Sequence, residues 1–184
     1  MSLDDATARP QHHDEVQHLV VMGVSGSGKT TLATNLSERL GWPVAEADTF
    51  HPPENIAKMT AGTPLTDEDR WPWLDAIRDW LTGQAQTGRS TIVTCSALRR
   101  AYRDVLGDAQ GRVRFLHVTA APEVIGERLS RRSGHFMPPT LLPSQLSTLE
   151  PLTDDEDGTT LTVDVPPDVV TERALEALGL TTAR

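Results

Sequence analysis

The chain has 184 residues, enough for one domain with a sizeable hydrophobic core. Apolar residues make up 38% and charged residues 23%, which excludes a membrane-embedded or low-complexity chain. A formal net charge of −9 excludes duplex nucleic acid as an expected partner, because that needs a basic footprint.

Residues 1–17 are polar and acidic and read as a flexible N-terminal arm without a signal-peptide h-region. Residues 18–22 form a short apolar, β-branched run that predicts a buried strand, too short to cross a membrane. Residues 29–40 place Leu32, Leu36 and Leu40 at helical spacing and stop at Gly41. A second strand is expected over 44–47, and helices over 54–61 and 73–81, with Thr66 and Asp69 in a capping arrangement between them. A third strand over 91–95 leads to a helix over 97–106, closed by Gly107. A fourth strand over 113–119 is followed by a helix over 122–131 with Pro122 in its first turn. Residues 153–160 read as an exposed acidic turn, 161–165 as a fifth strand and 167–178 as a last helix ending at Gly179. This alternation predicts an α/β fold of three layers, a five-stranded parallel sheet flanked by helices, with residues 18–184 as one domain. The lone Cys95 precludes an intramolecular disulfide and fits a cytoplasmic protein.

Gly23-Val24-Ser25-Gly26-Ser27-Gly28-Lys29-Thr30 matches G-x-x-x-x-G-K-[ST] between a predicted strand and a predicted helix. Glycines let the backbone N–H groups cradle phosphates, and the following helix adds its dipole. Lys29 suits the β- and γ-phosphates of ATP, and the Thr30 hydroxyl suits Mg²⁺. Such a loop fixes the nucleotide but not the task. No guanine-reading N-K-x-D follows, and the third strand ends in Cys95-Ser96 rather than in an acid. An acid stands instead after the second strand, at Asp48, where a carboxylate could orient and deprotonate an acceptor hydroxyl. Glu46 is a candidate for assisting the metal through water, or for a structural role.

Further blocks follow: Thr49-Phe50-His51-Pro52-Pro53-Glu54-Asn55-Ile56-Ala57-Lys58-Met59, Asp69-Arg70-Trp71-Pro72-Trp73-Leu74, Cys95-Ser96-Ala97-Leu98-Arg99-Arg100-Ala101-Tyr102-Arg103-Asp104, and Arg132-Ser133-Gly134-His135-Phe136-Met137-Pro138-Pro139. With the phosphate loop and Ser144-Gln145 through Glu150, these blocks resemble the gluconokinase family over about residues 18–165. The resemblance implies transfer of the γ-phosphate of ATP to the C6 hydroxyl of D-gluconate, a shikimate-kinase-like P-loop fold, a mobile lid over about 126–150, and a homodimer. Asp48 matches the family's acid; Glu46 departs from the Asp common there. Trp71 stands at the pattern's variable place.

D-gluconate and ATP are both anionic, so local cations must outweigh the overall charge at the site. Within the matching blocks, Arg70, Arg99 and Arg103 are candidates for the substrate carboxylate, since the guanidinium fork pairs bidentately. Asn55 and Lys58, three apart on one helix, could face the same ligand, and His51 could bind a sugar hydroxyl or close the turn before Pro52. Arg128 and Arg132 share a helix face and suit the transferring phosphoryl group, with His135 packing the lid or touching ligand. The tryptophans and Cys95 read as core or interface residues. Two rival functions share these features: a kinase for another small sugar acid or shikimate-like substrate, and an ATP-dependent switch protein.

Overall fold

The computed structural model describes residues 15–132 and 139–180. Among them the strands are β1 (Gln17–Met22), β2 (Val44–Glu46), β3 (Thr91–Cys95), β4 (Arg112–Thr119) and β5 (Gly158–Thr162), all parallel, in the order β2-β3-β1-β4-β5. The helices are α1 (Lys29–Leu40), α2 (Pro53–Thr60), α3 (Asp67–Gln86), α4 (Arg100–Gly107), α5 (Pro122–Arg131), α6 (Leu142–Thr148) and α7 (Pro167–Leu178). This is the three-layer α/β architecture expected from the sequence.

β1 explains the layering. It lies at the centre of the sheet and is buried on both faces, so it reads as one continuous apolar run. Val20 and Met22 pack with Trp73, Leu74, Ile77, Tyr102 and Leu106 from α3 and α4. Leu19 and Val21 pack on the opposite face with Leu32 and Leu36 of α1 and Val170, Ala174 and Leu178 of α7. A third cluster, Val24, Leu98, Ile125 and Leu129, lies with Leu142 and Leu146 of α6 beside it.

Several boundaries differ from the sequence reading. β2 stops at Glu46, and Ala47–Phe50 form a 3₁₀ turn, so Asp48 sits on a turn rather than just past a strand. α3 starts six residues before the expected 73, at a complete capping box: Asp69 N–H donates to Thr66 Oγ1, and the Asp69 carboxylate accepts from Thr66 N–H. The helix runs through Pro72, which removes the backbone donor that would otherwise meet the Glu68 carbonyl but does not end the helix. α4 starts at Arg100 rather than 97, because Ala97 has φ +43° and cannot extend a right-handed helix. β5 begins at Gly158, inside the stretch expected as an acidic turn. The expected lid contains α6, which the sequence reading did not assign; its residues 133–138, with His135, and arm residues 1–14 lie outside the described set.

Candidate active site

The phosphate loop leaves β1 at the C-terminal edge of the sheet, the edge at which parallel α/β sheets present ligands. Two of its glycines have no substitute. Gly23 has φ +145°, and a Cβ there would stand 2.5 Å from the Val118 carbonyl oxygen. Gly26 has φ +82°, and a Cβ there would lie 2.9 Å from Leu129 Cγ. The loop is thus pressed between β4 and α5, and Ser27 Oγ is buried beneath it without a hydrogen-bond partner among the described residues. Lys29 Nζ donates to the carbonyls of Gly23 and Val24, both at 3.0 Å. Burial pulls the Lys29 pKa down, while Asp48, Cys95 and Glu46 oppose that shift. A glycine-shaped loop, an embedded cation and the Thr30 hydroxyl at the start of α1 fit a nucleotide triphosphate end with its metal. Among the described residues no group of three or more His, Cys, Asp or Glu side chains could hold a metal by itself.

The loop forms one wall of a cleft of about 360 Å³. Glu46 lines it from the end of β2 and Asp48 from the 3₁₀ turn, Thr94 from β3 and Ser96 just after it, His51 from the turn before α2, Arg70 and Trp73 from α3, and Ser144 and Gln145 from α6. Asp48 is exposed on its 3₁₀ turn. The Glu46 carboxylate accepts from Thr94 Oγ1. His51 stacks on Trp73, with ring centroids 4.2 Å apart and planes 13° apart, and Trp73 Nε1 donates to the Ala47 carbonyl at 2.8 Å. Burial, assisted by the Arg70 cation, holds the His51 pKa down to about 4. Arg70 Nη1 donates to Tyr102 Oη at 3.1 Å, and Tyr102 Oη donates to Asp67 Oδ1 at 2.5 Å.

A second pocket of about 260 Å³ lies beyond Gly28, between Arg128 and Arg132 on one side and Val163, Val165 and Pro167 on the other. Arg128 Nη1 donates to the Ser27 carbonyl at 3.4 Å, and Arg132 lines both pockets. An apolar slot joined to the phosphate loop through two arginines suits a nucleoside, near the segment after the fifth strand.

The structure sorts the candidate residues. Gly23 to Thr30, Glu46, Asp48, His51, Arg70, Arg128 and Arg132 gather around the two connected pockets or form the loop between them. Arg103 does not. It is 1% exposed, and its guanidinium pairs with Glu156 at 2.5 Å and donates to the carbonyls of Ala97, Glu150 and Pro151. A buried guanidinium must satisfy its donors, and here the protein itself does so. Asn55 and Lys58 also turn away from the cleft. Asn55 Nδ2 meets the Asp69 carbonyl at 2.8 Å, and Lys58 Nζ meets both Asp69 carboxylate oxygens, at 2.7 and 2.8 Å. Arg99 pairs with Asp67 at 3.2 Å and lies over the Tyr102 ring behind Arg70. The sequence reading missed Thr94 and Gln145 as cleft residues, and it assigned Trp73 to core or interface packing alone. Gln145 lies in the Ser144-Gln145 block, but no residue-level signal says that its oxygen accepts Ser25 N–H at 2.7 Å.

Comparison with known proteins agrees with this geometry. A family model described as an AAA domain matches residues 19–152. The gluconokinase of Gluconobacter oxydans is 50% identical over 157 residues, covering 85% of this chain and 88% of that protein. A crystal structure of a sugar kinase from a Janibacter species has a TM-score of 0.86 at 55% identity, covering 90% of this chain and 96% of that one. A gluconokinase from Sinorhizobium meliloti has a TM-score of 0.79 at 43% identity, covering 89% and 91%.

Proposed function

The chain belongs to the gluconokinase family, and from that membership we propose that it transfers the γ-phosphoryl group of ATP to the C6 hydroxyl of D-gluconate, giving 6-phospho-D-gluconate and ADP. One observation carries the reading at the level of the site: the phosphate loop and the acid Asp48 line one cleft together with Arg70 and His51. The cleft volume of about 360 Å³ suits a six-carbon acid.

Asp48 orients the C6 hydroxyl and takes its proton as that oxygen bonds to the γ-phosphorus and the bond to the bridging oxygen of ADP breaks. Lys29 gives up one of its carbonyl contacts to reach the phosphates. Arg128 and Arg132 hold charge on the transferring group from the nucleoside side. Arg70, steadied by Tyr102 and Asp67, meets the carboxylate end of the sugar acid, with Arg99 behind it. Mg²⁺, held by the Thr30 hydroxyl and through water near Glu46, would neutralise charge between the β- and γ-phosphates. Because such transition states are loose, placement and electrostatics contribute more than the strength of the base.

A coupled ADP-release assay over a panel of sugar acids, with the phosphorylated carbon mapped by NMR, tests the reading. Gluconate-dependent turnover at C6 supports it. Preference for another sugar acid would move the substrate assignment, and ATP hydrolysis indifferent to any sugar acid would favour a nucleotide switch. Among the described residues no helix is long and apolar enough to cross a membrane. The lone Cys95 supports a cytoplasmic location. A homodimer rests on the family resemblance, and light scattering tests it.

A further inference from the structure

His51 has two ring nitrogens, and the cleft can meet either a hydrogen-bond donor or an acceptor, depending on which of them carries the proton. The surroundings decide this, starting from an atom with no choice. The Asp69 backbone carbonyl can only accept. Asn55 meets it at 2.8 Å, so the Asn55 side chain must present its NH₂ group there, not its oxygen. That same NH₂ group lies 3.2 Å from His51 Nδ1, with its second hydrogen available. Nδ1 therefore accepts, and the single proton of a neutral imidazole resides on Nε2.

We propose that Asn55 fixes His51 as a neutral imidazole protonated on Nε2, a hydrogen-bond donor that reads an oxygen atom of the sugar acid in the cleft. Asn55 is then a positioning residue, not a ligand, and this accounts for its burial away from the cleft.

The rest of the arrangement holds this donor still. The His51 ring lines the cleft and is clamped flat against Trp73, which is itself tied to the Ala47 carbonyl. Asp69 is held by its capping box with Thr66 and by Lys58, so the carbonyl that orients Asn55 belongs to a fixed helix start. Arg70 beside the ring and burial around it both disfavour an imidazolium. A neutral donor next to Arg70 favours a hydroxyl or carboxylate oxygen and disfavours an ammonium at the same place. A 2-amino analogue of the substrate should bind worse than the 2-hydroxy compound if its nitrogen lies there. This rests on the sugar-acid kinase reading above and gives one of its wall residues a defined proton.

The experiment has two arms. In the first, ¹⁵N NMR of the imidazole in the ligand-free wild-type protein near neutral pH reads the tautomer directly. A protonated Nε2 with a bare Nδ1 is expected; a protonated Nδ1, or an imidazolium, overturns the proposal. In the second arm, Asn55→Asp replaces the donating NH₂ with a group that only accepts, drawing the proton to Nδ1. KM for gluconate should rise about tenfold, in line with a misplaced hydrogen bond, while KM for ATP stays within about twofold. His51→Gln keeps an amide N–H near the place of Nε2 and should retain more gluconate affinity than His51→Ala. Equal losses in the Gln and Ala variants, or an equal rise in both KM values for Asn55→Asp, would count against the proposal. If the wild-type protein phosphorylates no sugar acid, the functional reading falls, and the NMR arm still decides where the proton is.

Discussion

Gln145 accepts the backbone N–H of Ser25 on its side-chain oxygen at 2.7 Å, tying α6 to the phosphate loop across 120 residues of sequence. Leu142 and Leu146 pack beside the same contact, against the cluster formed by Val24, Leu98, Ile125 and Leu129. Gln145→Ala should cost about 1 kcal/mol, seen as a fall in Tm of about 2–4 °C by differential scanning fluorimetry. Gln145→Glu keeps the acceptor and should melt close to wild type, yet raise KM for ATP by placing a carboxylate beside the phosphates. An unchanged Tm for the alanine variant would mean that this contact contributes nothing.

Lys29 and Asp48 should separate binding from chemistry. Lys29→Met and Asp48→Asn are each expected to lower kcat by about 10³-fold or more. Asp48→Asn should keep its affinity for ATP, measured by calorimetry, because Asp48 lies on the acceptor side of the cleft. Wild-type kcat in Asp48→Asn would remove Asp48 from the role of proton acceptor.

Arg103 provides a contrast. Its buried pair with Glu156 predicts that Arg103→Met destabilises the fold by about 2–4 kcal/mol, because Glu156 loses its buried cation and keeps only Thr153 and, at 3.9 Å, Arg100. The folded fraction should keep a near-normal KM for gluconate. Urea denaturation with parallel kinetics checks this: a large KM effect with unchanged stability would return Arg103 to the substrate side.

Three histidines set the acid side of the stability profile. Burial lowers the pKa of His18, His51 and His117 below the ordinary 6.5, for His51 to about 4. Below 6.5 the unfolded chain binds protons that the native state still refuses, so stability rises with pH across that window. Tm should be nearly flat above about pH 7 and fall as pH drops from 6.5 toward 4. Further acid should remove the contribution of Asp69, which Lys58 holds ionised down to about 2. His51→Gln should show a shallower decline, and a flat profile between pH 7 and 5 would contradict the assignment.

The phosphate loop was fully legible in the sequence because its chemistry is contiguous: eight neighbouring residues carry the spacing, the glycines and the cation. The capping box at Thr66 and Asp69 was legible for the same reason, and it marks where α3 begins although Pro72 drew the expected start later. Arg70 and Arg103 were not separable. Both are arginines in matching blocks, and only tertiary contacts decide that one faces the cleft through Tyr102 while the other turns inward to Glu156, 53 residues away. Helical spacing puts Asn55 and Lys58 on a shared face but does not say that this face meets Asp69. The start of α4 was misplaced because nothing in the local sequence announces a left-handed Ala97.

Residues 96–132 hold eight arginines against four acids, a cationic surplus in an acidic chain. Much of it is spoken for elsewhere: Arg100 pairs with Asp155, Arg103 with Glu156, and both Arg112 and Arg114 with Asp157. These pairs converge on the residues leading into β5, an outer strand of the sheet in which Leu161 is the one buried side chain. An outer strand with so little apolar burial is prone to fray or to recruit a strand from another chain. Here its entry is fastened by four guanidinium groups from α4 and β4. The cationic block therefore also pins the entry to this outer strand, and high salt should loosen the exposed pairs of Arg100 and Arg112 before the buried pair of Arg103.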